Sequence, residues 1–238
     1  TGFYAKSLSE EAIFALDLCS DLVLKPHLNI SDFALEKNVV LSEINEAYDD
    51  PEDRAGVTNQ MASFENQPLG MPILGDDNSL KSINMDMVND FHNQYLSPQN
   101  IIIGISGAYD ENQFIDFVCQ KFGHLKSGIK SQAKPAYFTA NSKFEARKIE
   151  QSQIALSFAL PKPERDNLFT SQVYSGILGG GMASRLFQDL REKHGLVYGI
   201  DAYCEKFREV ARLNIAFGSA DKNANEALKI IEGHLQDI

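Results

Sequence analysis

Cysteine is scarce, and its placement excludes two common frameworks. The three cysteines, Cys19, Cys119 and Cys204, are odd in number, far apart and in no CxxC pair. This argues against a disulfide scaffold and against a cysteine zinc site, and it suits a reducing compartment. They read as ordinary core or surface residues. Basic residues are also in short supply: 22 Lys and Arg face 33 Asp and Glu, for a net charge of −11. Phosphate binding needs clustered cations, so nucleic acid is excluded as the main partner. The acidic balance reads as a soluble surface or, more sharply, as a chamber that attracts basic peptides. No apolar run approaches the roughly 20 residues of a membrane span. Residues 1–30 lack the basic region, apolar stretch and small-residue cleavage site of a signal peptide. The chain starts at Thr1 and opens mid-pattern, which reads as a cut end, so a targeting signal is not observable.

What is present is a chain of 238 residues, 43% hydrophobic, enough for one large domain or two modest ones. Residues 9–24 predict a helix with Ser9 as N-cap and Glu10 and Glu11 in its first turn. Ile13, Phe14, Leu16, Leu18, Leu22 and Val23 predict that it is mostly buried, and Pro26 ends it. A second helix is expected over 31–49, capped by Ser31 or Asp32, and a third from Pro51 to about 64. Residues 66–75 form a Pro- and Gly-punctuated loop, and 84–95 and 110–123 are helical in pattern. Asn100 to Ser106 (NIIIGIS) has the continuous apolar texture of a buried strand. Residues 126–135, polar and rich in Ser, Gly and Lys, make the best linker. Beyond it come a strand at 153–160, helices at 166–178 and 183–194, strands at 196–204 and 209–217, and a helix from Asp221. The implied fold is α+β: two related lobes, each a mainly antiparallel sheet with helices packed on one face. The first lobe is expected over 1–126, a linker over 127–136 and the second lobe over 137–238, cut short.

Two segments carry residues suited to chemistry. In the helix SDFALEKNVVLSEINEAYD, Glu36 and Glu43 are seven residues apart and share a face with Val39 and Val40. Such carboxylates are expected to be partly buried, which is costly unless a metal or a hydrogen-bond partner offsets the charge. The plainer reading of the spacing is a solvated acidic face with Lys37 nearby. The second segment is RLFQDLREKHGLVYGIDAY, residues 185–203. Arg191 offers a fork of donors to a backbone carbonyl, and the Tyr198 hydroxyl can help hold a developing oxyanion. The plainer alternative is a helix-end arginine and a core tyrosine. The preceding GGG is not a phosphate loop, because no Lys-Ser or Lys-Thr follows it.

The stretches FYAKSLSEEAIFALDLCSDLVLKP, ALEKNVVLSEINEAYDDPED and QPLGMPILG, together with 185–203, closely resemble the pitrilysin/insulinase (mitochondrial-processing-peptidase-like) zinc metallopeptidases. The likeness runs from about residue 3 to the end of the chain. It implies that Glu43 is the third zinc ligand and that Glu36 supports it from behind, tuning the site. It implies that Arg191 and Tyr198 bind the substrate peptide. It further implies zinc-dependent cleavage of unfolded peptides or presequences, basic ones included, inside a dimeric chamber. Glu43 and the Arg191/Tyr198 pair occur in one chain, which favours a homodimer. A departure stands beside the likeness. The histidines are His27, His92, His124, His194 and His234, so the inverted zinc motif HxxEH of this family is missing. It is expected roughly 35 residues upstream of Thr1, so this chain alone is expected to be inactive and free of tightly held zinc. The rival reading is a non-catalytic partner or scaffold subunit that binds peptides. The expected location is a bacterial cytoplasm, with the mitochondrial matrix or the periplasm as alternatives.

Overall fold

The computed structural model describes residues 1–237. Its elements, in order, are α1 (Ala12–Leu24), α2 (Ile30–Asp49), α3 (Pro51–Ser63), α4 (Asp77–Ser82), α5 (Met85–Tyr95), α6 (Glu111–Phe122), β1 (Ser152–Leu160), α7 (Arg165–Gly179), a π-helical turn (Phe187–Lys193), β2 (Val197–Lys206), β3 (Ala211–Ser219) and α8 (Asp221–Gln236). The chain groups into two compact units: residues 1–39 with 77–133, and residues 40–76 with 134–238. The later division, between 133 and 134, falls inside the expected linker. The earlier one falls inside α2 and assigns 40–76 to the second unit, which the sequence reading did not anticipate. The cause is the packing of α3 on the sheet formed far downstream.

The first unit is held mainly by polar and half-buried contacts. Lys121 on α6 pairs with Asp17 on α1, and that carboxylate holds the Lys121 ammonium above its ordinary value. The His92 Nε2 of α5 meets the Val23 carbonyl at 3.1 Å, and Lys37 donates to the Ile83 carbonyl at 2.9 Å. Among the described residues of this unit only Ser20 and Ser97 are buried. The expectation that α1 is mostly buried is therefore overturned: Phe14, Leu18 and Leu22 are exposed, because no described segment lies over that face. The start of α2 also differs, since Asn29 rather than Ser31 or Asp32 accepts from the Asp32 N–H, at 2.9 Å. At 101–106 the backbone alternates between half-buried and exposed as a strand does, with Ile102 fully exposed, yet it pairs with nothing in a ladder. The expected buried strand is absent because a strand needs a hydrogen-bonded neighbour, and no described segment provides one.

The second unit holds the hydrophobic core. Its sheet has the order β1–β3–β2 and is antiparallel throughout. Alternation sends Leu213, Ile215 and Phe217 of β3, with Ile200 and Ala202 of β2, to one face. There they pack with Leu178 of α7, Leu186 and Leu190 of the π-helical segment, and Ala227 and Ile231 of α8. A Cβ on Gly179 would lie 2.5 Å from that of Ala202, so glycine is what lets α7 approach β2 so closely.

The opposite face is polar, and α3 covers part of it. Asn59 donates to Ser157 Oγ at 2.8 Å, and Ser157 donates to Asn214 Oδ1 at 2.6 Å. Arg212, 4% exposed, donates to Glu205 at 2.8 Å and to Gln60, and lies over the Phe64 ring. The loop after α3 is pinned by its own side chain: Gln67 donates to the Tyr137 carbonyl and accepts from the Tyr137 N–H, each at 2.9 Å. All three cysteines are free. No helix among the described residues is long and apolar enough to cross a membrane.

Candidate functional site

The segment from Leu186 to Tyr198 turns a helix end into a strand start, and that turn brings two of the expected site residues together. Gly195 adopts a φ of 61°, the left-handed cap that glycine takes at low cost. Its N–H bonds the Arg191 carbonyl at 3.1 Å, and the Leu196 N–H bonds the Leu190 carbonyl at 2.8 Å. Leu190 and Leu196 are both buried, so the reversal is nailed down by apolar contact as well as by hydrogen bonds. The chain therefore returns over its own last turn. Tyr198, seven residues after Arg191, lands on the guanidinium with 4.9 Å from Arg191 Cζ to its ring centroid.

Phe187, one turn earlier, takes a second position against the same guanidinium at 4.8 Å. The arginine is thus held by two rings, contacts that use its π face. Its Nε makes only a long contact of 3.8 Å with Glu192, so the donor fork stays available. The Tyr198 side chain is 79% exposed, at an irregularity in β2 between Val197 and Ile200. The plainer reading of a core tyrosine is overturned: the left-handed cap and the β-irregularity aim it outward.

The π-helical turn carries a feature that sequence spacing did not reveal. Asp189 receives His234 Nε2 from α8 at 2.8 Å and Lys193 Nζ at 3.2 Å, with His194 Nε2 at 3.5 Å. The hydrogen bond from His234, and next the one from Lys193, hold the Asp189 carboxyl below the ordinary carboxylate range, against the opposing effect of burial. The sign follows from linkage. A depressed folded-state value stabilises the fold wherever the unfolded carboxyl is already ionised, and that stabilisation disappears as pH falls through the depressed value. Asp189→Asn is therefore expected to be less stable than the parent by a constant margin near neutral pH. The margin should close below the ordinary carboxylate range, as read by chemical denaturation across pH. A margin that widens toward acid would contradict this.

Glu36 and Glu43 lie on α2, as the sequence predicts, but the expected burial is overturned. Both are exposed, Val39 is 50% exposed, and neither carboxylate has an ion-pair partner among the described residues. No described segment covers this face of α2. No group of three or more His, Cys, Asp or Glu among the described residues could hold a metal ion. Zinc takes three or four protein ligands, so the donor set among the described residues does not by itself fit the metal.

Residues 82–238 match the family model described as the peptidase M16 inactive domain. A Bacillus subtilis (strain 168) protein named uncharacterized zinc protease YmxG is 30% identical over 240 residues, covering 100% of this chain and 58% of its own length. A Rickettsia felis protein named uncharacterized zinc protease is 32% identical over 204 residues, 85% of this chain and 50% of its own. The chain thus spans about half the length of the curated relatives it matches. Among solved structures, a protease from Helicobacter pylori aligns with a TM-score of 0.82 at 16% identity, covering 95% of this chain and 58% of that one. A peptidase M16 inactive domain from Pseudomonas fluorescens aligns with 0.78 at 20% identity, covering 94% and 55%. These structural likenesses establish the mixed helix-and-sheet fold.

Proposed function

The chain belongs to the peptidase M16 family, and from that premise we propose that it is part of a zinc-dependent endopeptidase acting on unfolded peptides, in which Arg191 and Tyr198 hold the substrate backbone. The observation that carries this reading is the ring-held guanidinium beside an exposed phenol. Arg191 is fixed in direction by Phe187 and Tyr198 while its N–H fork remains free to meet a peptide carbonyl. The Tyr198 hydroxyl lies on the open side of the same stack, where a donor can stabilise charge that develops on the carbonyl oxygen. Two anchored donors beside one another suit an extended backbone better than a single side chain. The net charge of −11 favours basic segments among possible substrates.

In this reading Glu43 supplies one zinc ligand to the full-length protein and Glu36 tunes it, while the other ligands and the general base come from outside this chain. The active assembly is a homodimer enclosing a chamber, in the cytoplasm of a bacterium. In the same reading 127–136 joins a lobe drawn mainly from 1–126 to one at 137–238, with 40–76 grouped with the second. The rival reading is a non-catalytic partner that binds peptides. Peptide cleavage by the full-length protein, assayed with and without a chelator, separates the two. Chelator-sensitive cleavage supports the endopeptidase, whereas peptide binding without cleavage supports the partner subunit.

A further inference from the structure

We propose that Asp189, gripped by His234 from α8, is a positioning residue that holds the π-helical turn open so that Arg191 meets Tyr198. This rests on the reading of Arg191 and Tyr198 as the peptide-binding pair. A π turn is rare, occurs mostly as a single-turn bulge in an α-helix and is frequent at functional sites. At the C-terminal end of the turn a wide backbone bond runs from the His194 N–H to the Asp189 carbonyl at 3.1 Å. The side chain of the same residue supplies the outside hold, accepting from His234 Nε2 at 2.8 Å.

His234 is itself well placed to resist movement. Ile231, one turn before it on α8, is buried in the core, and the His234 side chain is only 19% exposed. The carboxylate is therefore moored to an element that the rest of the unit fixes. Asp189 is two residues before Arg191, on the same turn. Tightening that turn to α geometry would rotate every side chain after Leu190 about the helix axis and carry the guanidinium off the Tyr198 ring. The charged groups around the mooring are Lys193 and His194, which also contact Asp189, and Arg185 and Glu192, which line the same open hollow with Gln188 and His234. Of these, Lys193 adds to the hold on an ionised Asp189.

The test uses the full-length protein, a peptide substrate, and the variants His234→Ala, His234→Gln, Arg191→Ala and the Ala/Ala double. His234→Ala is expected to raise KM about tenfold, the scale of losing one charge-assisted hydrogen bond, with kcat within about twofold. His234→Gln, which keeps an N–H donor, should restore KM to within about threefold. The double variant should be no worse than Arg191→Ala, since the histidine acts through the arginine. Hydrogen exchange at the His194, Gly195 and Leu196 amides should quicken in His234→Ala and return to normal in His234→Gln. Unchanged KM and exchange in His234→Ala, or an effect that adds fully to Arg191→Ala, would overturn the proposal. An unchanged KM in Arg191→Ala would instead sink the peptide-binding reading, and the exchange result would then decide the positioning role alone.

Discussion

Replacing Glu43 with glutamine in the full-length protein is expected to lower peptide hydrolysis by more than about a hundredfold, beyond the ten- to hundredfold typical of a partner one layer behind a metal ligand. The substitution conserves size and helix propensity. Glu43 is exposed and makes no ion pair among the described residues, so folding should be untouched. A loss of activity would then report on chemistry rather than on stability. Bound zinc, measured on the same preparation, should fall with the rate. Glu36→Gln should cost less, about ten- to hundredfold, if it tunes the site as proposed rather than binding the metal. Full activity in Glu43→Gln would remove α2 from the site.

The largest effect on stability is expected at Arg212. Its side chain is 5% exposed, pairs with Glu205, and is shared with Gln60 and the Phe64 ring. Arg212→Ala leaves Glu205 facing a cavity without its cation and unties α3 from β3. Breaking a buried pair from one side costs about 3–5 kcal/mol. Half-exposed Glu205 can recover part of its hydration, so the lower end of about 3 kcal/mol is expected here. Arg212→Met, which keeps the volume and the contact with Phe64, should still lose the ion pair but cost less than alanine. Chemical denaturation measures both. A change under about 0.5 kcal/mol for alanine, the range of ordinary surface substitutions, would show that the α3 interface is held by apolar contact alone.

Elements with a strong local pattern were legible in the sequence. The alternation at 153–160 is realised as β1, and the helical periods around 110–123 and from Asp221 as α6 and α8. Arg191 and Tyr198 were legible as a pair through the family resemblance of 185–203; the structure adds that the reversal at Gly195 brings them into contact. Phe187 could have been added from its four-residue spacing to Arg191. His234 could not, since it reaches Asp189 from 45 residues away through tertiary packing. Burial was the least legible property. The apolar texture of 101–106 and the stripe of α1 predict a covered face, but covering depends on a neighbour. Without one among the described residues, Ile102 and Phe14 are exposed. The same logic exposes Glu36 and Glu43. The helix spacing sets their common face, whereas their burial depended on what lies opposite.

At the centre of the proposed site is a guanidinium held against Phe187 and Tyr198 with its donor fork left for a peptide. The most direct measurement is KM and kcat of the full-length protein on a peptide substrate after Arg191→Ala and Arg191→Lys. Alanine should raise KM by about ten- to hundredfold, and lysine, which lacks the planar fork, should fail to restore it. A KM unchanged by alanine, or fully restored by lysine, would contradict the claim that this fork grips the substrate backbone.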